Sequence, residues 1–193
     1  MERMQTGPRK VRLAVLGVGA LVFVAGGGLL LYALFGGEDP SSVPTPESEV
    51  LRLTVPGMKR VDDLPVYDAP PEGFEAALRK GSVHVSSTGF PWQEGANVYI
   101  AGHRLGYPGT RSYLVFRDID KLEKGDEVTL TDANGTRYTY EIFKQFQYGP
   151  DAERVLEPVE GKNVVTLQSC TWPDYARRIA VQAELTDVRE EAA

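Results

Sequence analysis

The arrangement of hydrophobic and polar residues predicts a chain built mainly of short strands. Apolar positions alternate with polar ones or form short valine-rich runs, and turn residues such as Gly, Pro, Asn and Asp separate these stretches. Such patterns are typical of strands that bury one or both faces. The predicted strands cover residues 50–55, 61–67, 82–86, 97–101, 127–131, 137–147, 163–170 and 178–185.

Only one stretch in the same region has a clear helical pattern. Residues 72–80 carry it, and Gly81 is expected to end the helix as a C-terminal cap. Pro65 interrupts the second predicted strand, which places that strand near a sheet edge. Residues 154–159 are expected to form a loop or a short strand.

Turn chemistry connects two of the longer strands. Asn134 and Gly135 predict a hairpin between residues 127–131 and 137–147. Seven or eight short strands with one or two short helices predict a mainly β fold. The expected architecture is therefore a small closed or half-open β-barrel.

A different apolar pattern precedes the strands. Residues 13–35 contain no charged side chain, and the run is long enough for a helix to cross a bilayer. The run is longer than the apolar core of a cleaved signal peptide, the alternative interpretation. The prediction is a basic cytoplasmic tail at 1–12, a single membrane span at 13–35, a Pro/Ser/acid linker at 36–49, an extracellular domain at 50–187 and a tail at 188–193.

The charge distribution excludes one class of partner. The 193 residues carry a net charge of −6. Residues 1–12 contain four basic residues and one acidic residue, which leaves 17 basic and 26 acidic side chains for the remainder. A domain of this sign lacks the basic surface that binds nucleic acid. The single cysteine also excludes an intrachain disulfide.

That cysteine lies where two predicted strands meet. Cys170 ends one strand, a turn with Pro173 and Asp174 follows, and Arg178 begins the next strand. His103 ends another strand, after Ala101 and Gly102. A thiolate is the nucleophile of choice for acyl transfer, an imidazole carries its proton, and a guanidinium stabilises an oxyanion. Cys170, His103 and Arg178 therefore form a candidate acyl-transfer set.

Two alternatives remain at this point. His84, His103 and Cys170 could together bind zinc, although the chain lacks the closely spaced ligand pair typical of such sites. A β-barrel that binds the cell wall without catalysis is the second alternative. A lone cysteine at the end of an apolar strand is also often a small core residue.

Three motifs carry a resemblance to a known family. Residues 166–170, TLQSC, followed by Arg178, resemble the TLxTC…R signature of the sortases. Residues 97–104, NVYIAGHR, resemble the strand that ends in their catalytic histidine, and residues 80–84, KGSVH, are similar to an upstream KGPGH segment. The motifs occur in the family order, and the resemblance covers residues 50–187.

The resemblance implies a sortase-type closed β-barrel and a membrane-anchored cysteine transpeptidase without a cofactor or metal. Such enzymes cleave an LPxTG-like sorting signal between Thr and Gly and pass the thioester-bound protein to an amine of a lipid II-like peptidoglycan precursor or of a pilin. Cys170 would be the nucleophile, His103 the general acid/base and Arg178 the oxyanion or positioning residue. The AGHR context is most similar to the class E housekeeping type, whose signal tends towards LAxTG.

The same resemblance marks further positions around the site. Ser169 replaces the usual Thr of the motif, Trp172 is a bulky residue that could line the groove, and Ser82-Val83 replaces Pro-Gly before His84. The residues expected to contact the substrate are His84, Thr166, Leu167, Ser169 and Trp172. The expected partners are secreted proteins with a C-terminal LPxTG- or LAxTG-like signal, and attachment to the cell wall is favoured over pilus assembly.

Overall fold

Eight strands form a closed barrel in the computed structural model, which describes residues 43–190. The strands are β1 Leu51–Thr54, β2 Leu64–Ala69, β3 Ser82–Val85, β4 Asn97–Ala101, β5 Glu127–Thr131, β6 Arg137–Tyr148, β7 Val164–Cys170 and β8 Arg178–Arg189. Their order around the barrel is β1-β2-β3-β4-β7-β8-β6-β5, with β5 pairing β1. The predicted closed barrel of about eight strands is confirmed.

Within residues 43–190, one α-helix, α1 at Phe74–Leu78, packs outside the barrel. The same part of the chain contains three short 3-10 helices, at Pro71–Gly73, Ile119–Lys121 and Glu153–Leu156. The strand pairs β2–β3 and β4–β7 are parallel, and the others are antiparallel.

The barrel interior is filled by large side chains with almost no exposed surface. Alternate residues of each strand point inward because successive side chains lie on opposite faces. The side chains buried to this degree include Leu51, Leu53, Ile100, Leu130, Ile142 and Leu167. A second apolar cluster lies outside the barrel, where Leu78 of α1 meets Val83, Val85, Tyr99 and Ala101.

Two local expectations need correction. The α-helix ends at Leu78 with Arg79 as its C-cap, and Gly81 lacks the left-handed backbone of a glycine cap. Pro65 does not mark an edge: β2 pairs on both sides, and the ladder to β3 begins only at Val66, after the residue without an N–H.

Of the two alternatives for residues 154–159, the loop is closer: the segment holds the last three residues of a 3-10 helix and then a loop, and it contains no strand. The side chains of Val155 and Leu156 explain its position, because both pack against the outer apolar cluster. This segment consequently lies over one face of the barrel, beside the candidate site described below.

The predicted membrane span at 13–35 lies outside the described residues, as do the basic tail and most of the linker. No helix within residues 43–190 has the length and apolar character needed to cross a bilayer.

Candidate active site

The thiol, the imidazole and the guanidinium come from three neighbouring strands. Cys170 is the last residue of β7 and pairs directly with Arg178, the first residue of β8. On the other side, β4 runs parallel to β7, and the last matched pair is Ala101 with Gln168. His103 and Cys170 each lie two residues beyond that pair, so the three candidate residues occupy one row with Cys170 in the middle.

Hydrogen bonds extend this alignment past the strand ends. The Gly102 amide donates to the Gln168 carbonyl at 3.0 Å, and the Ser169 hydroxyl donates to the Gly102 carbonyl at 2.8 Å. Neighbouring strands lie about 4.8 Å apart, and residues at matched positions share a face of the sheet. His103, Cys170 and Arg178 are therefore expected to project to the same side.

Gly102 is required by close packing beneath the histidine. A Cβ at this position would lie 2.7 Å from the ring of Phe116, a separation that real Cβ atoms do not show. The Phe116 amide also donates to the His103 carbonyl at 3.0 Å. The backbone that carries the imidazole is thus fixed from both sides.

The His103 ring is half-buried, and its Nε2 is the only buried side-chain nitrogen or oxygen within residues 43–190 that has no hydrogen-bond partner. Tyr107 meets the imidazole edge-on at 5.5 Å between ring centroids, and the Arg79 guanidinium lies 4.7 Å from the Tyr107 centroid. Burial lowers the pKa of His103, Glu75 opposes this change, and Arg79 adds to it. The environment therefore favours a neutral imidazole.

An open groove of about 370 Å³ crosses the outer face of the barrel beside this row. Its floor includes Tyr99, Gln168 and Arg178, and Phe74 of α1 lies at its wall. The segment after β6 forms another wall, with Pro150, Ala152, Glu153, Val155 and Leu156. An extended peptide in this groove would lie across the strands that carry the thiol and the guanidinium.

Two tyrosines join across the groove floor. The Tyr99 and Tyr148 hydroxyls lie 2.7 Å apart, and burial raises the pKa of both. The nearby Arg178 charge opposes the increase in each case. Arg178 itself makes two long contacts through Nη1, to the carbonyls of Tyr175 at 3.4 Å and Arg177 at 3.5 Å.

His84 occupies a different environment. It pairs with Ile100, so it lies on the opposite face of the sheet from Tyr99 and His103. Its Nδ1 donates to Asp68 at 2.7 Å, while Nε2 lies 3.1 Å from the Gly89 carbonyl and 3.0 Å from the Thr88 hydroxyl. The structure places His84 in the packed interior, away from the groove, and separates it from the other two residues of the zinc alternative.

Three other predicted contact residues are also buried. Thr166 and Leu167 have no exposed surface, and Ser169 is 1% exposed. Thr166 donates to the Asn97 side chain at 2.7 Å, which joins β7 to β4. Burial keeps all three from contacting a ligand, and the hydrogen bonds of Thr166 and Ser169 join β7 to β4 and to Gly102 just after it.

Trp172 is the one predicted contact residue that is open to solvent, at 62% exposure. It lies in the β7–β8 turn and lines a second pocket with Arg104 and Leu105, outside the groove. Ser82 and Val83 are fully buried, and the Ser82 hydroxyl donates to the Pro65 carbonyl at 3.1 Å.

Several site residues escaped the sequence analysis. Gln168 could have been found, because it lies two residues before Cys170 on the same strand face. Tyr148 and Tyr107 could not, because only the pairing of Tyr148 with Arg178 and the folded loop after β4 bring them to the site.

Comparison with known families decides the assignment. The family model described as "Sortase domain" matches residues 53–186, which contain all eight strands except the ends of β1 and β8. This chain belongs to the sortase family.

Among its relatives, Sortase A of Streptococcus agalactiae serotype III (strain NEM316) is 36% identical over 95 residues. Sortase A of Bacillus anthracis is 32% identical over 94 residues. These matches cover 49% and 48% of this chain but only 38% and 42% of the two relatives. The chain therefore matches less than half the length of either sortase.

A solved structure shares the barrel over a longer stretch. The Group B Streptococcus Pilus Island 1 Sortase C2 superposes with a TM-score of 0.61 at 25% identity. The superposition covers 75% of this chain and 77% of that one.

Proposed function

We propose that this sortase is a cysteine transpeptidase that cuts an LPxTG- or LAxTG-like sorting signal between Thr and Gly. The observation that carries the proposal is the row formed by His103, Cys170 and Arg178 at the ends of β4, β7 and β8. Family membership supports the same chemistry, because the row contains the three residue types of the family signature.

Acylation begins at Cys170. The thiol loses its proton to His103, and the sulfur attacks the Thr carbonyl carbon. Arg178 stabilises the negative charge on the carbonyl oxygen. Collapse of the intermediate breaks the Thr–Gly bond, His103 returns the proton to the leaving amine, and the Thr acyl group remains on sulfur as a thioester.

Deacylation transfers the acyl group from Cys170 to the acceptor. An acceptor amine attacks the thioester carbonyl, His103 takes a proton from the amine nitrogen, and the C–S bond breaks as His103 passes that proton to the departing Cys170 sulfur. The product is a new amide, with hydrolysis as the side reaction when water replaces the amine. A neutral His103, favoured by the burial that lowers its pKa, is the form that can accept the first proton.

The groove beside Cys170 supports the assignment of the sorting signal to this face. Tyr99, Gln168 and Arg178 form a floor across which an extended signal could reach the thiol. The AGHR sequence favours class E and a signal of the LAxTG type. The proposed partners are secreted proteins that carry such a signal, and the proposed acceptor is the amine of a lipid II-like cell-wall precursor.

The proposed location is the outer face of a cell membrane, with one span and the N-terminus inside. The uncharged run at 13–35 and the basic residues before it support this orientation. The enzyme would then meet its substrates as they leave the membrane.

A second candidate is a pilin-polymerising sortase. Its support is the structural similarity to a sortase from a streptococcal pilus island. The two candidates differ in the acceptor, which is a pilin lysine in one case and a precursor amine in the other.

Mass spectrometry of the full-length chain tests the proposal directly. Incubation with LAxTG and LPxTG peptides should give a thioester adduct on Cys170, and added triglycine or a pilin-like lysine peptide should convert it to a ligated product. Cys170→Ala is the matched control and should give no adduct. Peptide binding without any adduct on the reduced, folded protein would instead favour a wall-binding barrel.

A further inference from the structure

We propose that a basic pocket behind the catalytic row binds a phosphate group carried by the acceptor substrate. This inference rests on the proposed transpeptidase function and assigns a binding site to the phosphate of the acceptor. The basic pocket is defined by six lining residues and has a volume of about 340 Å³. They are Lys59, Arg60, Leu114, Arg117, Asp118 and Lys121.

The charge of this pocket is opposite to that of the chain. Acidic residues outnumber basic ones by 27 to 21 in the sequence, yet the pocket has four cations and one carboxylate. Lys121 contacts Asp118 at 2.7 Å, and together with Lys59 it lowers the pKa of that carboxyl. An ionised Asp118 neutralises one positive charge and leaves an excess of three.

Two of the cations are available to a ligand. Arg60 and Arg117 are exposed, and neither forms a salt bridge within residues 43–190. The Arg60 guanidinium lies over the Tyr113 ring, 5.8 Å from its centroid. Planar guanidinium groups recognise phosphate through paired N–H donors, and a doubly charged phosphate matches this excess better than a single carboxylate does.

The basic pocket adjoins a second pocket that reaches the turn after Cys170. A neighbouring pocket of about 230 Å³ shares Leu114, Arg117, Asp118 and Lys121 with it. This second pocket also contains Leu105 and Trp172, which lie two residues beyond His103 and Cys170 in the chain. A molecule held by its phosphate in the basic pocket could therefore extend along the exposed indole towards the thioester.

The location of the two pockets favours the acceptor, and not the sorting signal, as the molecule that binds there. The groove over Tyr99, Gln168 and Arg178 shares no lining residue with either pocket behind the row. Once the groove holds the acyl group, the amine has to approach from a different direction, and these pockets offer one. Their concave form and continuity favour a discrete phosphorylated molecule over the flat surface of an anionic membrane.

Two matched acceptors test the inference on the full-length chain. Gly-Gly-phosphoserine and Gly-Gly-Ser carry the same amine and differ only in the phosphate. With an LAxTG donor, the phosphorylated acceptor should have a KM about tenfold lower, as expected for one or two charge-assisted contacts. Arg60→Gln/Arg117→Gln should remove this preference and leave donor hydrolysis intact.

The control variant is Arg137→Gln/Arg189→Gln. It removes the same charge from a pair of residues that face each other across β6 and β8, and it should keep the preference. Equal KM values for the two acceptors in the parent protein would overturn the inference, as would a preference that survives Arg60→Gln/Arg117→Gln. Loss of phosphatidylglycerol vesicle binding in that variant, with acceptor KM unchanged, would assign the pocket to the membrane and overturn it as well.

Calorimetry separates this inference from the proposed function. Binding of Gly-Gly-phosphoserine to Cys170→Ala needs no turnover, so it can be measured even if no thioester forms. Binding that depends on Arg60 and Arg117 would support phosphate binding in the basic pocket, even if the protein forms no thioester. Absence of binding, or binding that ignores both arginines, would contradict it.

Discussion

The two histidines of this chain show how differently one residue type can be used in one barrel. His84 is 1% exposed, and both of its ring nitrogens have partners supplied by the fold. His103 is half-buried, and its Nε2 has no partner within residues 43–190. Burying an unpaired polar atom destabilises a protein, whereas a paired one adds stability. We infer that His84 serves the fold and that His103 is held ready for a substrate.

Replacement of His103 should give the largest effect. His103→Ala removes the proton carrier, and a loss of about 10²- to 10⁴-fold in thioester formation is expected. Its free energy of unfolding should stay the same or rise, because the substitution removes an unpaired buried nitrogen. Rapid-quench mass spectrometry and urea unfolding measure the two quantities. Thioester formation at the parent rate would remove His103 from the mechanism.

His84 should show the reverse behaviour. His84→Ala leaves a cavity and unpairs Asp68, and should lower the free energy of unfolding by about 2–4 kcal/mol. Turnover per folded molecule should change by less than about tenfold, because His84 takes no part in the proposed reaction. Denaturant titration followed by assays well below the midpoint measures both effects. A stable but inactive variant would show that His84 contributes directly to catalysis.

The pH dependence of stability tests the burial of His103. Because its folded pKa lies below the ordinary value of about 6.5, the unfolded chain takes up a proton first as the pH falls. The parent protein should therefore lose stability relative to His103→Asn as the pH drops below about 6.5. Above that pH the two curves should run parallel. A difference that grows on the alkaline side would contradict the assigned direction.

The smallest expected effect comes from the two charges of the α1 region. Glu75→Gln removes a charge that raises the pKa of His103, and Arg79→Gln removes one that lowers it. The acid limb of the pH–rate profile should thus shift to lower pH in the first variant and to higher pH in the second. Both residues are exposed, so salt should weaken the shifts. Shifts of the same sign would indicate a change of structure.

The strands were largely predictable because alternation is a local signal. Asn97–Ala101 and Glu127–Thr131 have the predicted bounds, and the Asn134-Gly135 turn joins β5 to β6 as expected. The strand β8 extends beyond its predicted end at residue 185, to Arg189. Its last residues pair with the start of β6, a long-range contact that no local pattern reports.

The site, too, has features that the sequence predicts and features that depend on long-range contacts. The residue types at the three strand ends were visible in the motifs, and strand pairing shows that they form one row. The motifs also marked Thr166, Leu167 and Ser169 as ligand contacts, although the fold buries them. A motif records which positions matter without separating those that touch a substrate from those that support the strand. The wall formed by Val155 and Leu156 had no such signal, since it depends on packing across the barrel.

The parallel pairing of β4 with β7 also affects when the site can form during folding. Gly102 and Ser169, which join the ends of these strands, are 67 residues apart. Contacts at such separation form late, because a long loop has to close before any interaction compensates for the lost entropy. Until then Cys170 lacks its imidazole neighbour. Under the proposed function, a newly made chain could therefore form a thioester only after the barrel has closed.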